Sequence, residues 1–191
     1  MHRRQISSFL LGLCILSSNG CGGQLYDVAT RPISSPTERP TNTANGFNVS
    51  AVALDGDQAL EQFDTNLPLA GVIAVDVVLA NRTSSAIDAG TLRFELRAGS
   101  GNALKSLTPK AALKRVMKYY GNGFYRLDAR QRTIESYEAT ALPLVSLISP
   151  GEERRGILFF ETLYNTANLT GLALSVVGVN SRIAPINIKL N

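Results

Sequence analysis

The side chains that most often carry enzyme chemistry are nearly absent from this 191-residue chain. Its only histidine is His2, and its two cysteines are Cys14 and Cys21. His2 and Cys14 fall in a basic-then-apolar start, Met1-His2-Arg3-Arg4 followed by the eleven residues Ile6–Leu16, which has the layout of a removable export signal. Beyond that start the chain has no histidine, one cysteine and one methionine, Met117. This excludes Ser-His-Asp and Cys-His nucleophilic catalysis from the mature chain. It also removes almost every zinc, copper or haem site, which need His, Cys or Met ligands. No glycine pattern of the phosphate-cradling kind follows a strand and opens a helix. The sequence therefore assigns no catalytic, cofactor or metal residue.

Carboxylates keep some chemistry open. Asp55-Gly56-Asp57 with Glu61 offers oxygen ligands of the kind calcium takes, but it lacks the third carboxylate position of an EF-hand loop. A plain turn is the simpler expectation there. Glu135 with Glu138, or Glu152 with Glu153, supplies the residue types of an acid–base pair. A carboxylate-dependent hydrolase or carbohydrate-active protein would need two of them converging in a cleft about 5–10 Å apart. The spacing does not set any pair against a substrate.

Binding chemistry is better represented. Residues 105–132 hold eight basic side chains and one acidic one, Asp128, on a chain whose formal charge is only +4. Lys110, Lys114 and Lys118 recur every fourth residue, with Arg115 beside them. Tyr119, Tyr120, Phe124 and Tyr125 cluster around Gly121-Asn122-Gly123. Exposed aromatics of this kind stack on sugar rings or anchor protein interfaces. A basic face suits anionic head groups, anionic polymers or an acidic partner. Lys110, Lys114, Arg115, Lys118, Tyr119, Phe124 and Tyr125 thus form the expected contact surface. A solvated helix face and an aromatic cover over the core are the simpler alternatives.

The elements that would position these residues follow from periodicity. Thr108-Pro109 is a helix start, with a capping hydroxyl before a proline at the first helical position. Leu113, Val116, Met117 and Tyr120 then fall on one stripe, and Gly121 is placed to end the helix. A second, weaker helical pattern covers Ala129–Ala141. Around this helical stretch the period is two. Strands are expected at Phe47–Leu54, Gly71–Asn81, Thr91–Arg97, Ala103–Leu107, Arg155–Glu161, Leu172–Val177 and Ile186–Leu190. In the second of these, Ile73, Val75, Val77 and Leu79 share a face. The fold class read here is mainly β, an antiparallel sandwich over residues 46–191 with a helical insertion at about 108–140.

The N-terminal region gives an address. An apolar stretch of eleven residues is shorter than the roughly 20 needed to span a bilayer, and the chain's mean hydropathy is +0.05. The small residues Ser17-Ser18-Asn19-Gly20 before Cys21 resemble the lipobox of bacterial lipoproteins, although Ser18 stands where that family usually has Leu. The resemblance implies a signal peptide over 1–20, lipidation (palmitate among the acyl groups) at Cys21, and, from Gly22 after it, the outer membrane facing the periplasm. A lone exported thiol otherwise needs explanation. Residues 21–45, with Pro32, Pro36 and Pro40 among Ser, Thr and Asn, read as a flexible tether.

The folded part also resembles the immunoglobulin-like domains of bacterial envelope lipoproteins. Three marks carry the likeness: Val77–Thr83 with its Asn turn, Gly99–Asn102 leading through Leu107-Thr108-Pro109, and Ser149-Pro150-Gly151-Glu152 feeding Gly156–Phe160. Phe159-Phe160 would straddle the sheet. Such domains bind, space or scaffold, so the resemblance implies a non-enzymatic module. Its partners would be the membrane, through the anchor, and an envelope protein or anionic envelope polymer. Location argues against nucleic acid, and the oligomeric state stays open. An assembly lipoprotein of a secretion or pilus machine, working by strand addition, is a further alternative. Labelled palmitate should enter the natural chain in cells and be lost in Cys21→Ser; label retained by the serine variant would contradict the anchor.

Overall fold

The computed structural model describes residues 25–29, 39–99, 101–122, 127–166, 169–178 and 184–190. Residues 1–24, with the expected signal peptide and Cys21, lie outside them, as do Phe124 and Tyr125. Among the described residues the protein is mainly β, with antiparallel sheets and three helices. In chain order the elements are β1 (Thr41–Ala44), β2 (Phe47–Ala53), α1 (Gly56–Phe63), β3 (Val72–Asn81), β4 (Ile87–Asp88), β5 (Leu92–Arg97), β6 (Ala103–Leu104) and β7 (Ser106–Leu107). They continue with α2 (Pro109–Tyr119), α3 (Leu127–Thr140), β8 (Leu147–Ile148), β9 (Glu153–Glu161), β10 (Ala173–Gly178) and β11 (Ile186–Lys189).

Five strands form one sheet in the order β1-β2-β3-β9-β7, and four form another in the order β11-β10-β5-β6. β4 and β8 make a small separate pair. The two larger sheets face each other across a core. Val49, Ile73, Val75, Val77, Leu79 and Phe160 enter it from one side, and Leu92, Leu96, Leu174, Val176, Ile186 and Ile188 from the other. Burying such side chains stabilises by about 1.5–3 kcal/mol each relative to leaving them exposed. Sheet residues alternate as a pleated strand requires, so β11 buries Ile186 and Ile188 while Asn187 and Lys189 stay exposed.

The other face of the five-stranded sheet is not solvated. Val72 and Ala74 of β3, with Ile157 and Phe159 of β9, lie in a second core with all three helices. Phe63 of α1, Tyr137 of α3 and Phe159 form an aromatic cluster with centroids 5.0–5.9 Å apart. Phe159 and Phe160 therefore do straddle the sheet, one in each core. β3 is buried nearly throughout because it is the middle strand of a middle layer.

Some elements differ from the sequence expectation. Asp55-Gly56-Asp57 is not a simple turn but the start of α1. Asp55 Oδ1 accepts from Gln58 N–H at 2.8 Å, and Gln58 Oε1 accepts from Asp55 N–H at 3.1 Å, a reciprocal capping box. The expected strand Ala103–Leu107 is two short ones that pair with different sheets, β6 with β5 and β7 with β9. The chain thus crosses from one sheet to the other at Lys105.

The span 21–45, read as a tether, also holds ordered pieces. Tyr26 and Val28 are buried in the second core, and Thr41–Ala44 is the edge strand β1. The amide of Leu25 donates to Thr133 Oγ1 at 2.9 Å, that of Ala29 to the Gln62 carbonyl at 2.8 Å, and Asn122 Nδ2 to the Tyr26 hydroxyl at 2.8 Å. Each of these partners belongs to the helical layer or its edge.

Two close approaches brace the central strands. Buried Asn81, at the end of β3, donates through Nδ2 to the carbonyls of Ser85 and Ile148 at 2.8 and 2.9 Å. Its own carbonyl accepts from Gly151 N–H at 2.7 Å, which brings the Asn turn against the Pro150-Gly151 turn. On β9, Gly156 meets the backbone that leaves α3: a Cβ there would sit 2.4 Å from Leu142 Cα. Only glycine fits that approach.

Asp76 is the charged residue inside β3, and its side chain is only 6% exposed. Arg155 donates to it through Nε at 3.1 Å and Nη2 at 2.6 Å, and Arg39 through Nη2 at 2.5 Å. Burial pushes its carboxyl up, but the hydrogen bonds and charges of Arg155 and Arg39 outweigh that and hold it below the ordinary range. A carboxylate lowered in the folded state contributes stability above its unfolded pKa, and that contribution is lost as pH falls through the folded value. Glu152, lowered by Arg154 and the Ser149 amide, acts in the same sense. Asp76→Asn should cost about 3 kcal/mol at pH 7 and flatten the acid limb of a stability–pH curve measured by denaturant unfolding. An unchanged acid limb would contradict the pairing.

Candidate functional site

α2 forms where the sequence places it. Thr108 Oγ1 accepts from Ala111 N–H at 3.2 Å and Pro109 opens the first turn. Ala112, Leu113, Val116 and Met117 are buried against the sheet. At the other end Gly121 takes φ +71° and the Asn122 amide donates to the Met117 carbonyl at 2.9 Å, the bond that closes a Schellman-type end. Tyr120 leaves the buried stripe: it is 38% exposed, and its hydroxyl donates to the Asn66 carbonyl at 3.2 Å.

The basic side chains divide into two groups. Arg115 points inward, with its Nε donating to the Gly71 carbonyl at 2.9 Å, Nη1 to Glu161 Oε1 at 2.8 Å and Nη2 to the Thr162 carbonyl at 2.6 Å. Its guanidinium also lies 4.3 Å from the centroid of Tyr164. So Arg115 ties α2 to β3 and to the end of β9, and it is not a free contact cation. Lys105 lies 3.6 Å from Glu161, and Arg132 lies 3.5 Å from Asp128 one helical turn away. By contrast Lys110, Lys114 and Lys118 are exposed. The residue spacing puts them about 6 Å apart along one side of α2.

The aromatics expected beside this row come together only in part. Tyr119 stacks on Tyr164 at 5.8 Å and 14°, and meets Tyr120 edge-on at 4.9 Å. Its hydroxyl donates to Asn165 Oδ1 at 2.6 Å. Lys118, Tyr119 and Tyr164 line an open hollow of about 290 Å³. Tyr164 was not foreseen as a site residue, because nothing local in its loop distinguishes it; only the long-range contact from Arg115 places it. Phe124 and Tyr125 fall outside the described residues.

Among the described residues neither the hollow nor a larger cavity is lined by two carboxylates. The larger cavity, of about 450 Å³, lies beside the start of α1, lined among others by Asp55, Gln58, Asn66, Thr166, Leu169 and Thr170. Asp55 is its one carboxylate and is engaged in capping α1. Glu135 accepts from Gln131 at 3.0 Å, Glu152 from Arg154 at 2.7 Å, and Glu153 lies 3.9 Å from Arg82. Among the described residues no group of three or more His, Cys, Asp or Glu is placed to hold a metal ion. Nor is any described helix long and apolar enough to cross a membrane.

No family model and no curated protein matches the chain. Two solved structures are similar to it in shape. One is the crystal structure of the yjhA protein from Bacillus subtilis, at 9% identity and a TM-score of 0.42 over 79% of this chain and 96% of that one. The other is a crystal structure of a conserved hypothetical protein from Bacillus anthracis, at 16% identity and a TM-score of 0.38 over 78% and 93% of the two chains.

Proposed function

We propose that this chain is a non-enzymatic, lipid-anchored protein of a bacterial cell envelope that acts as a binding or scaffolding module. Cys21 carries the lipid, in the outer membrane on its periplasmic side. The outer surface of α2 makes the contact. The supporting observation is the division of its cations: Arg115 is held by three protein acceptors, whereas Lys110, Lys114 and Lys118 stay exposed in a row. Solvated lysines in a row on one helix are suited to an anionic partner.

The finer fold reading, an immunoglobulin-like sandwich, draws support from two antiparallel sheets around one core and from the junction of the Asn81 and Pro150-Gly151 turns. The helical layer is an addition to that plan. A carboxylate-dependent hydrolase has less support, because neither cavity described above brings two carboxylates together. Strand addition would use the sheet edges, and no particular edge stands out for it.

The test is photo-crosslinking in intact cells from a reactive group at position 114. The expected result is envelope adducts whose yield falls several-fold when Lys110→Glu and Lys118→Glu are added. Adducts unaffected by that charge reversal would overturn the assignment of this surface.

A further inference from the structure

The chain between the anchor and the folded body is far shorter than the 21–45 span suggests. Leu25 is already fixed to α3 through Thr133, and Tyr26 reaches the end of α2 through Asn122. Cys21 is four residues before Leu25, so whatever path the intervening chain takes, it spans at most about 14 Å. The attachment point sits in the helical layer, on one outer side of the molecule. The outer face of the four-stranded sheet lies across the five-stranded sheet from it. One helix layer and one sheet-to-sheet spacing together make about 20 Å. A lipid on Cys21 cannot therefore hold that far face against the bilayer while residues 25–29 stay docked.

Charge selects among the orientations that remain. The C-terminal turn of α2, which Tyr26 reaches through Asn122, also carries Lys118, with Lys114 and Lys110 following at helical spacing. Glu161 is already engaged by Arg115 and Lys105, and the exposed carboxylates of this layer lie on α1 (Asp57, Glu61) and α3 (Asp128, Glu135, Glu138), not on α2. The far side also carries exposed cations, Arg93, Arg97 and Lys189, with Arg97 paired to Glu95 at 2.5 Å, but the leash keeps that face from the bilayer. Each lysine held near an anionic leaflet strengthens attachment, and the effect fades within a Debye length of about 10 Å. The short leash keeps the row within that range.

We infer that the α2 side of the helical layer faces the membrane, and that Lys110, Lys114 and Lys118 bind the anionic phospholipid head groups of the bilayer that holds its own anchor. The inference rests on the proposed lipidation of Cys21, and it names the partner of the α2 surface. The two sheets then stand away from the membrane, with the outer face of β5, β10 and β11 turned towards the surrounding space.

The acylated chain, its acyl group verified by mass, is reconstituted into vesicles of phosphatidylcholine mixed with phosphatidylglycerol, or of phosphatidylcholine alone. A fluorophore is placed at Lys114→Cys or at Lys189→Cys, and a quencher is carried on the lipid head groups. Strong quenching is expected at position 114 and little at 189 in the mixed vesicles. Pure phosphatidylcholine, or the added pair Lys110→Glu and Lys118→Glu, should reduce quenching at 114 several-fold. Equal quenching at both positions, or quenching at 114 indifferent to lipid charge, overturns the inference and leaves the anchor standing. A chain that carries no acyl group overturns anchor and inference together. Protein adducts at position 114 in cells, combined with no preferred orientation on vesicles, would assign the α2 surface to a protein partner instead.

Discussion

β3 has apolar residues on both of its faces, and neither face can be left in water. Ile73, Val75, Val77 and Leu79 meet the four-stranded sheet, while Val72 and Ala74 on the opposite side meet the helices. A strand with two such faces has to be the centre of three layers. Much of the architecture follows from that requirement. The helices cover the second face, Phe159 and Phe160 serve one core each, and the single carboxylate of the strand, Asp76, is retained because two arginines satisfy it.

The same requirement sorts the residues of α2. A helix that covers a sheet must give it one side, which leaves the opposite side for solvent or a partner. Arg115 lies at the boundary and reaches inward, where the Gly71 and Thr162 carbonyls and Glu161 satisfy it and its guanidinium packs on Tyr164. The three lysines lie beyond the boundary and are exposed. The N-terminal segment joins this layer through Tyr26 and Val28. The helical layer is thus both the cover of the sheet and the side that holds residues 25–29.

Much of this was readable in the sequence, for physical reasons that also explain what was not. Strands such as Leu92–Arg97 and Ile186–Lys189 alternate because one face is buried and the other wet, and there periodicity alone places them. α2 carried its own cap, proline and glycine end. α1 was missed although Asp55 and Gln58 form a capping box at the right spacing, because the glycine between them reads first as a turn. The helical insertion expected at about 108–140 is present as α2 and α3 between β7 and β8. Periodicity cannot say whether a strand's second face meets solvent or another core, so the insertion's packing as a layer with α1 was not legible. In the expected contact surface, Lys110, Lys114 and Lys118 lie where the helical period puts them. Arg115 and Tyr164 needed the fold, since Gly71, Glu161 and Thr162 are far from α2 in sequence. The buried Tyr26 and Val28 gave only a two-residue alternation inside a polar, proline-rich stretch.

If the helices are the cover of the central sheet, the two cannot come apart without exposing β3. Native-state hydrogen exchange over a denaturant series tests this directly, by comparing the amides of Val116 and Tyr137 with those of Val75 and Val77. The account predicts that helix and strand amides lose protection together, in one cooperative unit. Helices that open at low denaturant while β2, β3 and β9 keep full protection would show an accessory insertion, and would contradict it.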